Sequence, residues 1–144
     1  MVDMQDTDLG LLILRLVVGL TLAAHGAQKA FGWWDGPGLD RWRGNIANMG
    51  FAPAALWTVV STGAELGGGL ALAARFVTPL AAAALVGQAI VMIGKVHLPK
   101  VFWNGKGGIE FALSLGAATA AIGLIGPGSI SIDGALGLAF DDLF

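Results

Sequence analysis

The stretch Leu9-Gly-Leu-Leu-Ile-Leu-Arg15-Leu-Val-Val-Gly-Leu-Thr-Leu-Ala-Ala-His25-Gly-Ala-Gln-Lys-Ala-Phe31 decides the fold. At 1.5 Å per residue it is long enough to cross a hydrocarbon core of about 30 Å as a helix. The segment before it, Met1-Val-Asp-Met-Gln-Asp-Thr-Asp8, is acidic where a secretory signal peptide is basic, so the helix is expected to stay in the mature protein. Those aspartates also favour the positive end of the helix dipole. After Phe31 comes turn chemistry, Gly32-Trp-Trp-Asp-Gly-Pro-Gly38. From Leu39 to Met49, Leu39, Trp42, Ile46 and Met49 recur three or four apart among Asp40, Arg41, Arg43 and Asn45, which predicts a short amphipathic helix in the membrane interface. Pro53 opens a second span over about 54–74, since proline is tolerated in a first helical turn. Thr78 as N-cap and Pro79 at the first helical position open a third over 78–96, closed by Pro99. A fourth runs over 108–125 and stops at Gly126-Pro-Gly128, leaving a tail over 126–144. The expected fold is all-α: a single-domain integral membrane four-helix bundle with a short interfacial helix between the first two spans.

Composition agrees with that reading. The 144 residues are 56% hydrophobic and 12% charged, with mean hydropathy +0.75, whereas soluble domains carry about 25% charged residues. A domain of about 150 residues buries only about 70% of its unfolded surface, too little to hide this much apolar area from water. The chain has no cysteine and no tyrosine, which excludes disulfides, thiolate nucleophiles, iron–sulfur clusters and tyrosyl chemistry. A net charge of -2 with eight Lys and Arg leaves no basic stripe for nucleic acid. Glycine, at 23 residues, is enriched inside the spans. The small-residue rows Gly19, Ala23 and Ala27, Gly63, Gly67 and Ala71, and Ala83 with Gly87 are expected to be helix-packing seams, within the bundle or in a homo-oligomer.

Ionisable groups inside apolar segments carry most of the functional information, because each costs about 2.5 to 3.5 kcal/mol at a bilayer centre and needs a partner, a cavity or a task. The two glutamates, Glu65 and Glu110, both lie in such segments, and so does Arg15. Measured from the face that carries the loops after the first and third spans, Arg15 lies roughly 24 Å deep and Glu65 roughly 18 Å. That spacing predicts an Arg15–Glu65 ion pair, with Gln88 at about 13 Å as a neighbour. A buried pair of this kind also serves to fix helix register without any chemistry.

Nearer the same membrane face the polar groups crowd. His25, Gln28 and Lys29 share a helix face; Lys95 and His97 end the third span; Asn104, Gly105, Gly107, Gly108 and Glu110 lead into the fourth. Trp33, Trp34, Trp42, Trp57 and Trp103 all fall at this end, where an ordinary aromatic belt uses both interfaces. A molecule with a polar head and an apolar body would meet His25, His97 and Glu110 with its head and tryptophan with its ring or tail. Singly, each residue has a plainer role: the lysines snorkel and the tryptophans anchor. Haem ligation by His25 and His97, or zinc held with Glu110 as third ligand, has too little support from other residues, and no metal is expected. Acid–base or hydrogen-bonding work by histidine on a small molecule fits better.

The ordered set Leu14-Arg-Leu-Val-Val-Gly-Leu20, Ala24-His-Gly-Ala-Gln-Lys-Ala-Phe-Gly32, Gly36-Pro-Gly38, Met49-Gly-Phe51, Ala64-Glu-Leu-Gly-Gly-Gly69, Val96-His97, Asn104-Gly-Lys-Gly-Gly-Ile-Glu110 and Gly126-Pro-Gly128 resembles the DoxX family of small four-helix bacterial membrane proteins. The resemblance covers nearly the whole chain, including the aromatic residue, Phe111, after the last acid. The family is named for a membrane subunit associated with thiosulfate:quinone oxidoreductase, and relatives belong to membrane complexes linked to thiol and oxidant stress. It implies a polar core of Arg15, His25, Glu65, His97, Asn104 and Glu110. It further implies a multi-pass protein of the bacterial inner membrane, with no covalent cofactor and a quinone as the bound one. Without cysteine, any covalent sulfur chemistry would fall to a partner.

Two functions follow. In the first, the chain is a subunit of a quinone-linked oxidoreductase or stress complex, with His25, His97 and Glu110 doing the chemistry and Arg15, Lys29, Trp34, Glu65 and Asn104 holding the cofactor. In the second, it is a non-catalytic membrane module that docks a partner enzyme through the tail. Its expected partners are the bilayer and other protein subunits or further copies of itself. Lys29, Arg41, Arg43, Lys95, Lys100 and Lys106 near one face against Arg75 at the other place the first and third loops in the cytoplasm and both termini outside.

Overall fold

A computed structural model of the chain describes residues 4–98, 100–126, 128 and 129. The described residues form five α-helices and no strands: α1 (Met4–Phe31), α2 (Gly38–Asn48), α3 (Ala54–Ala74), α4 (Thr78–Met92) and α5 (Glu110–Ile125). The expected bounds hold closely for the second and fourth spans and for the amphipathic helix. The first begins earlier, taking in Asp6 and Asp8. The third begins at Thr78 itself, so Val77 is the N-cap and Thr78 is already helical. The readings placed on Pro99, Pro127 and the tail beyond Ser129 lie outside the described residues.

Helices α1 and α4, the latter continued to His97, are long and apolar enough to cross a membrane. α5 is apolar but shorter, and α3 carries Thr58, Thr62 and Glu65 in mid-helix. The four long helices form a ring, in which α1 and α4 each pack against α3 and α5. A small core of Val18, Leu72, Ala82, Leu85 and Ile122 closes it. The distribution of side chains is inverted relative to a protein in water. Arg15, Thr58, Thr62, Glu65, Thr78 and Thr119 are buried, while Val17, Val59, Leu80, Ile90 and Leu124 are more than 60% exposed. Exposed large apolar groups and buried polar ones are the informative departures from ordinary burial.

The α1–α3 seam is made of main chain against main chain. A Cβ at Gly26 would stand 2.4 Å from the Leu66 nitrogen, and one at Gly69 would stand 2.5 Å from the Ala23 nitrogen. Gly19 meets Gly69 and Ala73 in the same way. Helices approach this closely only where small residues face each other. The row Gly19, Ala23 and Ala27 is therefore a packing seam as expected, but its partner on α3 is Gly69. Gly63, Gly67 and Gly87 meet nothing within 4 Å, so those rows face outward; spacing identifies a small-residue stripe without saying which side of the helix is covered.

α2 lays its apolar side on α3. Trp42 and Ile46 are buried while Asp40, Arg41 and Arg43 are exposed, and Trp42 Nε1 donates to Ser61 Oγ at 2.9 Å. Trp42→Phe keeps the ring and removes this bond, and it is expected to cost about 0.6 to 1.5 kcal/mol. Unfolding monitored in detergent checks it, and an unchanged midpoint counts against this bond as the tie between α2 and α3.

Candidate functional site

The end of α4 departs from regular helix. Over Ile93–His97 it widens into a π-turn, with Leu98 N donating to Ile93 O at 2.7 Å. Single π-turns inside α-helices recur at functional sites because the extra residue re-aims the side chains after it. Here the re-aimed residue is His97, whose Nδ1 lies 2.9 Å from Gly107 O. A carbonyl only accepts, so Nδ1–H donates and the neutral ring keeps Nε2 as an acceptor. Gly107 is held by its own loop. Ile109 N and Glu110 N donate to Val101 O and Phe102 O, folding the chain so tightly that a Cβ at Gly108 would stand 2.0 Å from Val101 O.

On the opposite wall, α1 presents His25 and Lys29 one turn apart. Lys29 Nζ pairs with Glu65 Oε1 at 2.5 Å, and Gln88 Nε2 of α4 donates to the same oxygen at 2.5 Å. The Lys29 ammonium also sits 4.2 Å from the centre of the Trp42 ring, a cation–π contact that holds it without neutralising it. His25 packs edge-on against Phe111 of α5 with ring centres 5.3 Å apart and the rings inclined at 62°. These groups line one cavity of about 260 Å³ between α1, α3, α4 and α5, completed by Leu22, Leu85, Met92 and Thr119.

The predicted Arg15–Glu65 pair is not formed. The contacts of Gly19, Gly26 and Gly69 set an antiparallel register that puts Glu65 level with Ala27, and Arg15 lies twelve residues, about 18 Å, further along α1. Depth measured from helix ends had assumed that Phe31 and Pro53 stand level. In the structure α3 runs about two turns past the end of α1, and α2 packs alongside it. Glu65 pairs instead with Lys29, which turns inward rather than snorkelling, and Gln88 is the neighbour expected from depth.

Of the sequence-derived candidates, His25, Lys29, Glu65 and His97 come together in the cavity. Arg15, Trp34, Asn104 and Glu110 are not among its lining residues. Trp34 is 65% exposed. Glu110 Oε2 accepts from the Asn104 backbone N–H at 2.9 Å, so both residues brace the loop that carries Gly107. Gln28 turns to the first loop, its Nε2 donating to Trp34 O. Phe111 and Met92 belong to the lining although the sequence gives them no such part, whereas Trp42 lines it as one of the tryptophans expected to meet a ring or tail.

The model of one protein family, DoxX, matches residues 10–98. The chain belongs to the DoxX family. The matched segment holds every charged and amide group of the cavity, from His25 to His97, and membership makes this a membrane-associated chain of a family often linked to oxidoreductase or stress functions. No curated protein and no solved structure matches it.

Proposed function

We propose that this DoxX protein is a multi-pass subunit of the bacterial inner membrane, with α1, α3, α4 and α5 as its spans. It binds a small amphiphile of the quinone class for an oxidoreductase or oxidant- and thiol-stress complex. The inverted burial supports the placement in lipid, since the outward faces are apolar all round and the polar groups of α3 look inward. The observation that carries the ligand reading is the cavity itself. Apolar walls with a few convergent polar groups are the usual anatomy of a small-molecule site, and here those groups are an ammonium, two imidazoles, a carboxylate and an amide.

A bound quinone would supply a two-electron, two-proton redox couple. The chain's own groups suit such a ring. Lys29 spends one N–H on Glu65 and keeps further donors for a ring oxygen, where negative charge grows on reduction. His97 Nε2 is an acceptor for a ring hydroxyl, and its bond to Gly107 fixes the ring orientation. Glu65 and Gln88 act through Lys29 as positioning residues.

Protein purified in mild detergent is expected to retain quinone detectable by mass spectrometry. His97→Ala is expected to weaken binding of the reduced, hydroquinone form of a methyl-capped benzoquinone, whose hydroxyl donates to Nε2, about five- to tenfold, the worth of one hydrogen bond. Calorimetric titration in nanodiscs reads this out. A wild-type chain that neither retains nor binds the ring sinks the proposal.

A further inference from the structure

A second cavity, of about 250 Å³, lies between α2, α3 and α4. Its lining is almost wholly apolar, with Ile46, Met49, Phe51, Trp57, Val60 and Val91 among the larger side chains of the wall. Three residues, Trp42, Gln88 and Met92, line both this groove and the polar cavity. The two spaces therefore share a partition, two of whose three elements are tied down by hydrogen bonds. Trp42 is 6% exposed, tied to Ser61 at 2.9 Å and set over Lys29. Gln88 is tied to Glu65. Met92, flanking the π-turn, is the unbranched and adaptable member, the side chain type best suited to re-pack around a passing chain.

We propose that the groove holds the first part of the hydrocarbon tail of the same amphiphile whose ring occupies the polar cavity, so that ring and tail leave the bundle sideways between α2, α3 and α4. This rests on the reading of the polar cavity as the head-group site. Two features favour the ligand's own chain as occupant. The groove abuts the charged cavity across that wall, of which Met92 is the adaptable part, so a molecule with one compact polar end and one apolar end reaches both where Met92 re-packs, with its apolar end kept away from Lys29 and Glu65. Moreover, its outer margin carries Met49, Phe51 and Trp57, beside the amphipathic helix α2. Entry there lets the ring pass to the cavity without crossing the apolar belt.

Gly87 makes the inference testable. It lies on the groove wall, and a Cβ there meets nothing within 4 Å. Gly87→Leu therefore fills the groove without straining α4, and the better helix propensity of leucine favours folding. Ala84→Leu, one turn away on the same wall, is the independent second variant. Two probes are titrated into nanodiscs: tetra-substituted 2,3-dimethoxy-5,6-dimethyl-benzoquinone, and the same dimethoxy ring carrying a chain of two isoprene units. Both variants are expected to weaken the tailed probe about tenfold through overpacking while leaving the tail-less probe unchanged. If both variants bind the tailed probe as well as wild type does, the groove does not hold the tail, and the head-group site stands unaffected. If the variants lose both probes equally, the substitutions act on the cavity and the tail assignment is overturned. Failure of wild type to bind even the tail-less ring overturns the head-group reading and this inference with it.

Discussion

Replacing Glu65 by leucine is expected to cost about 3 to 5 kcal/mol, the penalty of leaving a buried charge without its partner. The Lys29 side chain is 11% exposed and the Glu65 side chain 9%, so neither can turn to water without opening the α1–α3 contact. Gln88 would lose its acceptor in the same step. The double variant Lys29→Met, Glu65→Leu removes both charges and keeps the volume; such replacements are often neutral or better, so it is expected to recover most of the loss. Unfolding in detergent, followed by tryptophan fluorescence, measures both, with Trp42 beside the pair as an internal reporter. A single variant that loses less than about 1 kcal/mol would show that the pair is solvated and would remove it from the cavity's frame.

Gly26→Leu is expected to abolish the folded bundle. Overpacking usually costs about 1 to 3 kcal/mol because side chains yield, but at Gly26 the obstacle is the Leu66 main chain, and the cost is expected to exceed about 3 kcal/mol. The matched control is Gly63→Ala on α3, which faces open space. It is expected to be neutral, or stabilising by a few tenths of a kcal/mol through helix propensity. Yield and monodispersity after extraction decide between them. Equal tolerance at the two glycines would mean that the α1–α3 seam is looser than main-chain contact.

These two residues also show where sequence reading succeeds and where it stops. The helices were legible because hydropathy, proline and glycine act locally, and α3 came out at its observed bounds. The crowding of polar groups at one end was legible too and points to His25, Lys29 and His97, while Glu65 stands out as a charge in an apolar segment. Which charge meets which was not. Pairing depends on the vertical offset of two helices, and that offset is set by Gly26 and Gly69 finding each other, a contact between distant parts of the chain with no local signature. An offset wrong by about two turns changes every partner, and the Arg15–Glu65 expectation fails in this way. Glu110 failed for a different reason. Its carboxylate sits in an apolar sequence yet is used by the backbone of its own loop, which only the folded turn at Asn104 reveals.

The main-chain seam between α1 and α3 divides the cavity into a fixed half and an adjustable half. Side chains repack by changing rotamer, but two backbones in contact have no rotamers to change, so α1 and α3 move as one body. Lys29 and Glu65 both stand on that body, and the charge that would meet a ligand is thereby held with little positional slack. Met92 and Phe111 stand on α4 and α5, and unlike a main-chain contact their side chains have rotamers to change, Met92 being unbranched as well. Charge is preset on one wall, while fit to the ligand's shape is left to the other.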